Sequence, residues 1–233
     1  MSLFEFAGQQ FRLLPERALF WPSRRALLVA DLHLEKASWF AATGQMLPPF
    51  DSRATLTRLA AIADSCDARE LWALGDNFHD AVGPERLDAE SRGLIDAIAR
   101  GRRLVWIAGN HDAAATMPGD RMEEADVNGL ILRHEARPDE PMPELSGHFH
   151  PKVRIATAMR TMSRPCAVIG SNRIILPAFG ALTGGLDVRS PAIMALFPQG
   201  GEALVATRHR LLRVPLADDR PDRPIRSRRQ TSG

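Results

Sequence analysis

Most of the chain's seven histidines stand beside carboxylates or asparagines, in short motifs that each follow an apolar run. AspLeuHis places Asp31 and His33 directly after residues 26–30, and alternation along an extended chain would turn both side chains to one side. GlyAspAsnPheHis follows residues 71–74, where Gly75 lets the chain turn and presents Asp76. GlyAsnHisAsp brings Asn110 and His111 to the end of residues 104–108, and His134 stands alone after residues 129–133. GlyHisPheHis again sets two imidazoles, His148 and His150, at alternate positions. Imidazoles mixed with hard carboxylate oxygens suit Mn, Zn or Fe better than Ca or Mg, which favour oxygen alone. The seven candidate ligands, Asp31, His33, Asp76, Asn110, His134, His148 and His150, are too many for one tetrahedral ion. Two octahedral-like sites sharing one carboxylate would use them all.

In an open sheet, ligands gather at the carboxyl ends of parallel strands, so the runs before these motifs should be such strands. Residues 26–30, 71–74, 104–108 and 129–133 have strand length and β-branched or aromatic character, and residues 173–176 and 192–197 complete the predicted set. Between the first two, residues 51–66 carry Leu56, Leu59, Ala60, Ile62 and Ala63 at helical spacing, with Asp51 or Ser52 available as a cap. A second helix is expected over residues 84–100, with Pro84 in its first turn and Gly101 closing it. The N-terminal segment predicts a hairpin, and after Gly147 the helical signal fades into strands, as a second packed sheet would require. Residues 1–216 are expected to form one α/β domain. Residues 217–233, polar and broken by Pro, are expected to be a disordered Arg-rich tail.

The order and spacing of these motifs, AspXHis, GlyAsp, GlyAsnHisAsp, a single His and GlyHisXHis, resemble the calcineurin-like metallophosphoesterase superfamily over most of the chain. DLHLEK, GDNFHD, GHFHP and the segment LPAFGALTGGLD are similar to the ligase-associated (PdeM-type) phosphoesterases of bacterial DNA-damage-response gene sets. The resemblance implies a four-layer αββα sandwich of two mixed sheets with metals at the strand ends. It implies that Asp31, His33, Asp76 and His150 hold one divalent ion, and that Asp76, Asn110, His134 and His148 hold the other, with Asp76 bridging. Mn2+ is the expected ion, with Zn2+ or Fe as alternatives. His111 would serve as general acid or transition-state stabiliser, and Asp112 could orient it. Phosphoprotein phosphatases of the superfamily carry an Asp-Arg pair after the bridging carboxylate. Here AsnPheHisAsp stands there, and His79 matches what repair nucleases of the superfamily show. A phosphodiesterase of nucleic acid is therefore expected, an endonuclease in DNA repair, with DNA as substrate and a DNA ligase, helicase and exonuclease as partners.

Charge counting agrees with an anionic substrate: two divalent ions against Asp31 and Asp76 leave about +2 at the site. Lys36, and Lys152 with Arg154, could contact substrate phosphate, although each also reads as solvated surface. The formal net charge is +2, all of it in residues 217–233, so the body has no overall basic field; that neutrality neither supplies nor excludes the basic face with which proteins grip long nucleic acid. That neutrality keeps a small nucleotide-type phosphodiester or pyrophosphate in view as substrate. An idle binding platform for repair partners is a further alternative, disfavoured by the complete motif set. With 45% apolar and 25% charged residues the chain is neither disordered nor a membrane protein by composition. Without a greasy N-terminal run or metal-type cysteine spacing, the expectation is a cytoplasmic protein with reduced Cys66 and Cys166.

Overall fold

The computed structural model describes residues 3–112, 117–156 and 160–216. The expected tail at 217–233 lies outside the described residues.

The N-terminal hairpin forms from β1 (Phe4–Phe6) and β2 (Gln9–Leu13), followed by β3 (Leu19–Trp21) and β4 (Ala26–Val29). Helices α1 (Lys36–Ala42) and α2 (Asp51–Ser65) lead to β5 (Glu70–Leu74), and α3 (Gly83–Arg86) and α4 (Ala89–Arg100) lead to β6 (Arg103–Ile107) and β7 (Asp120–Met122). These seven strands make one sheet in chain order, antiparallel through β4 and parallel from β4 to β7.

The second sheet starts before Gly147, with β8 (Glu124–Val127), β9 (Leu130–Arg133) and β10 (Glu144–Ser146). A separate ribbon, β11 (Lys152–Ala156) and β12 (Thr161–Pro165), precedes β13 (Ala167–Ile169) and β14 (Arg173–Ile175). After α5 (Pro191–Met194), β15 (Glu202–Ala206) and β16 (Leu211–Pro215) complete the sheet in the order β16-β15-β13-β14-β10-β9-β8. β10 runs parallel to both β9 and β14.

Strict alternation along the central strands divides the core. Leu28, Trp72, Leu74, Val105 and Ile107 face Leu130, Leu132, Leu145 and Ile174 of the second sheet. Leu27, Val29, Leu71, Leu104 and Trp106 turn the other way, against Leu56, Leu59 and Ile62 of α2 and Ile95 and Ile98 of α4. Strands buried on both faces read as unbroken apolar runs, which is why they are legible in sequence. The fourth layer over the second sheet consists of α5 and the β11–β12 ribbon, which bury Ile193, Val153 and Ile155 with Val168 and Ile175. The architecture is the expected four-layer sandwich with a thin outer layer.

Three local expectations change. Residues 192–197 are helix and turn, not strand: Pro191 starts a helix, and Ile193, Leu196 and Phe197 are buried at helical spacing. The helix expected over 84–100 breaks at Leu87, whose ψ is 130°, because the Asp88 carboxylate accepts from the Ser91 backbone N–H at 2.6 Å and caps a new helix. Neither Asp51 nor Ser52 caps α2. Asp51 instead accepts from the N–H groups of Lys36 and Ala37 and so caps α1, while Ser52 bonds Glu35.

Candidate metal centre

The five motifs leave the carboxyl ends of β4, β5, β6, β9 and β10, so two parallel sets of strands deliver them to one rim. Two groups of ligand atoms gather there: Asp31, His33 and His150 in one, Asp76, His134 and His148 in the other, each within 4.8 Å of one another. In the first, His33 Nε2 lies 3.2 Å from His150 Nε2, which is 3.5 Å from Asp31 Oδ1. In the second, His134 Nε2 is 3.2 Å from His148 Nδ1, and Asn110 Nδ2 is 3.4 Å from the same Nδ1. A half-turn of that amide presents its oxygen instead. Asp76 faces both groups, with Oδ1 3.3 Å from His134 Nε2 and Oδ2 3.9 Å from His33 Nε2.

Extended alternation does not produce this convergence. Asp31, His33, Asp76, His148 and His150 all have left-handed backbones, with φ of 53°, 43°, 44°, 69° and 47°. Each such residue costs about 1–3 kcal/mol and persists only where its surroundings over-determine it. Here the Asp31 loop is held on two sides. Its Asp31, His33 and Leu34 N–H groups donate to the Gly75, Asp76 and Asn77 carbonyls at 3.2, 2.9 and 2.9 Å. On the other side the N–H groups of Phe179 and Gly180 donate to the Ala30 and Asp31 carbonyls at 2.8 and 3.1 Å. Arg17 and Arg58 in turn donate to the Ala178 and Phe179 carbonyls. The His148 N–H donates to both Asp31 oxygens at 3.1 Å, tying the second sheet's loop to the first.

Close packing needs the glycines. A Cβ on Gly75, whose φ is +75°, would meet the His134 ring at 2.3 Å, and one on Gly109 would meet the Asp76 backbone N at 2.0 Å.

The donor set fits a pair of divalent cations. Two imidazole nitrogens, His33 Nε2 and His150 Nε2, converge to 3.2 Å beside a buried carboxylate, so both lone pairs and the carboxylate can turn to one cation. Burial above all, then the neighbouring His150, Lys36, His79 and His111, pushes the His33 imidazole down to about 2, so it is neutral and ready to donate a lone pair. The His134 Nδ1–H donates to the Leu74 carbonyl at 3.2 Å, which leaves its Nε2 free to face Asp76.

The other expected residues fall around this centre. His111 is exposed at the rim, its ring centroid 6.4 Å from that of His33, and its backbone N–H donates to Asp76 Oδ1 at 3.4 Å. His79 is half-buried, 4.9 Å from the Trp39 ring and stacked on Phe40 at 5.9 Å, and burial lowers its basicity. Lys36, half-buried in the first turn of α1, is likewise lowered by burial, with Asp51 opposing.

Asp112 departs from expectation. Its carboxylate does not reach His111 but accepts from Asn77 Nδ2 at 2.7 Å, Gly109 N–H at 2.8 Å and Phe78 N–H at 3.0 Å. It ties the loop after β6 to the loop after β5 and is a positioning residue.

Sequence reasoning missed two partners of that kind. Asn77 donates to the Ile107 carbonyl at 2.9 Å as well as to Asp112. Glu35, buried at the start of α1, exchanges bonds of 2.7 Å with the Ser52 hydroxyl through both its N–H and its carboxylate. Both lie inside recognised motifs, but their partners are remote in sequence. Gly184 and Gly185 belong to a loop between β14 and α5. A Cβ on Gly185 would meet the His150 carbonyl at 2.2 Å, so that loop lies against GlyHisPheHis.

No family model matches the sequence, and no curated protein matches it. Among solved structures the chain is similar to the nuclease MPE of Pseudomonas putida, at 30% identity and a TM-score of 0.70, over 91% of this chain and 99% of that one. The chain belongs to the metallophosphoesterases. YfcE, a phosphoesterase from E. coli, is matched at 16% identity with a TM-score of 0.40, over 84% of this chain and 94% of that one. This metallophosphoesterase is a metal-dependent hydrolase of phosphate esters, with two candidate clusters for divalent ions at one rim. No helix among its described residues is long and apolar enough to cross a membrane.

Proposed function

We propose that this metallophosphoesterase hydrolyses phosphodiester bonds of nucleic acid with a pair of divalent cations, Mn2+ foremost, and that it acts as an endonuclease on DNA in repair. The observation that carries the two-cation reading is Asp76, a single carboxylate within 4 Å of imidazoles from both ligand groups. Nucleic acid as substrate is supported by the similarity to a nuclease over nearly the whole chain. The repair setting, with a DNA ligase, helicase and exonuclease as partners, rests on the resemblance to ligase-associated phosphoesterases alone.

Asp31, His33, Asp76 and His150 would hold one cation, and Asp76, Asn110, His134 and His148 the other. When bound, the pair supplies Lewis acidity toward phosphate oxygens and a nucleophile at neutral pH. Only two of these seven side chains are anionic, so the site attracts a phosphodiester instead of repelling it. Asn110 matters here because an Asp in its place would remove one unit of that attraction. His111, exposed at the rim with its backbone N–H on Asp76, would hand a proton to the leaving oxygen or hydrogen-bond it. The Lys36 ammonium, beside His33 and His79, would fix a further phosphate oxygen, and His79 would line the same side.

The neutral body favours a second reading, a small nucleotide-type phosphodiester or pyrophosphate as substrate. Two assays separate these. Mn2+-dependent hydrolysis of bis-p-nitrophenyl phosphate is expected in either case, and its absence would leave only a binding platform. Nicking of supercoiled DNA that disappears in Asp76→Ala supports the nuclease. Diester turnover without nicking supports the small substrate.

A further inference from the structure

His148 is the one imidazole of the two clusters whose outward nitrogen meets a carboxylate of no other evident use. Its Nδ1 faces His134 Nε2 and Asn110, and its Nε2 points away from the cluster to Glu135 Oε1 at 3.5 Å. Glu135 follows His134 directly, so one stretch of chain supplies a candidate ligand of the cluster and a carboxylate beside another, His148. It lines an open cleft of about 450 Å³ with Asn110, His134 and Arg137. The ion pairs around it are already complete without it. Arg137 pairs with Glu124 at 3.1 Å, and Arg133 with Glu140 and Glu144 at 2.7 and 3.4 Å. Among the described residues Glu135 forms no other ion pair.

The geometry points to Glu135 as the positioning residue for His148, a carboxylate that holds the imidazole proton on Nε2 and so turns the Nδ1 lone pair toward the second cation. A neutral imidazole carries one proton, and whichever nitrogen is hydrogen-bonded to an acceptor keeps it. His134 settles the same choice through the Leu74 carbonyl. Among the described residues no carbonyl is hydrogen-bonded to His148 there, and the Phe149 ring stands nearly perpendicular to it, 4.9 Å between centroids. An anionic acceptor also makes the imidazole a stronger donor to the ion than a carbonyl does. With its side chain about half exposed, Glu135 keeps most of its hydration and brings this charge to the site at little cost in stability.

The inference rests on the reading that His148 is a metal ligand, and the experiment keeps the two apart. The full chain is stripped of metal and titrated with Mn2+ by calorimetry, in the native form and as Glu135→Ala and Glu135→Gln. Two binding steps are expected in the native chain. Glu135→Ala should weaken one of them by about 10- to 100-fold, the usual worth of such an outer partner, and leave the other within twofold. Glu135→Gln, which still accepts the hydrogen bond, should recover part of the loss. In the native chain loaded with diamagnetic Zn2+, proton–nitrogen spectra should show a His148 Nε2–H shifted downfield by its hydrogen bond, a signal that Glu135→Ala should lose. Two native steps that persist unchanged in Glu135→Ala would overturn the role of Glu135 alone, as would a His148 Nε2–H resonance in the Zn2+-loaded chain that Glu135→Ala does not move. A native chain that takes up no Mn2+ would overturn the metal reading and this inference with it.

Discussion

Asp76 makes the most demanding contribution of any single side chain, because each of its two oxygens serves a different group of imidazoles. Asp76→Ala should lower phosphodiester turnover by more than about a hundredfold, the upper worth of a merely outer partner, and reduce bound Mn2+ from two ions, as metal analysis would show. Asp112 should behave differently. Its three accepted hydrogen bonds come from two N–H groups and one amide that would be stranded without it. Asp112→Ala should therefore cost about 1–3 kcal/mol of stability in denaturant unfolding of the metal-free chain.

His33 supplies a pH dependence. Its folded-state basicity is pushed down to about 2, against about 6.5 when unfolded, so between these values the unfolded chain binds the extra proton. Stability of the metal-free protein should fall as pH drops below about 6.5, measured by urea unfolding at pH 7.5 and 5.5, and His33→Asn should flatten that slope. The clustering of the candidate ligands was legible because their types are rare and their motifs short. The direction of Asp112 was not, because adjacency to His111 in sequence says nothing of which neighbour a carboxylate turns to, and its partners Asn77 and Phe78 are remote in the chain.

At the scale of elements, runs such as Leu27, Leu28 and Val29 announced the central strands because both of their faces are buried. Residues 192–197 misled for the same reason: a short apolar run does not distinguish a buried helix from a strand, and only Pro191 marked the difference. The left-handed ligand loops were invisible, since Asp and His in such a conformation carry no signature. Their geometry is enforced by neighbouring loops and by close approach at Gly75. Gly75→Ala should push the His134 ring aside and strain a backbone at φ +75°. The expected result is loss of one of two Mn2+ ions with the secondary structure retained, read by metal analysis and circular dichroism.

For the whole molecule, the decisive quantity is the balance of charge. The neutral body and a locally positive centre predict that nucleic acid is held through few phosphates. Each phosphate neutralised contributes roughly 0.9 to the logarithmic salt slope on duplex and about 0.7 on single strands. The affinity of the Mn2+-loaded chain for DNA should fall with a slope of only about 2–3 between 50 and 200 mM salt, measured by fluorescence anisotropy. A slope near 10 would mean that a broad basic face takes part despite the neutral total.

Each ligand group draws on both sheets: Asp31, His33 and Asp76 leave the first, while His134, His148 and His150 leave the second. The candidate metal centre is thus also a rivet through the seam of the sandwich. A wedge driven between the sheets away from it, such as Leu204→Trp, should be felt there first, as weaker Mn2+ uptake in titration before the strands themselves come apart.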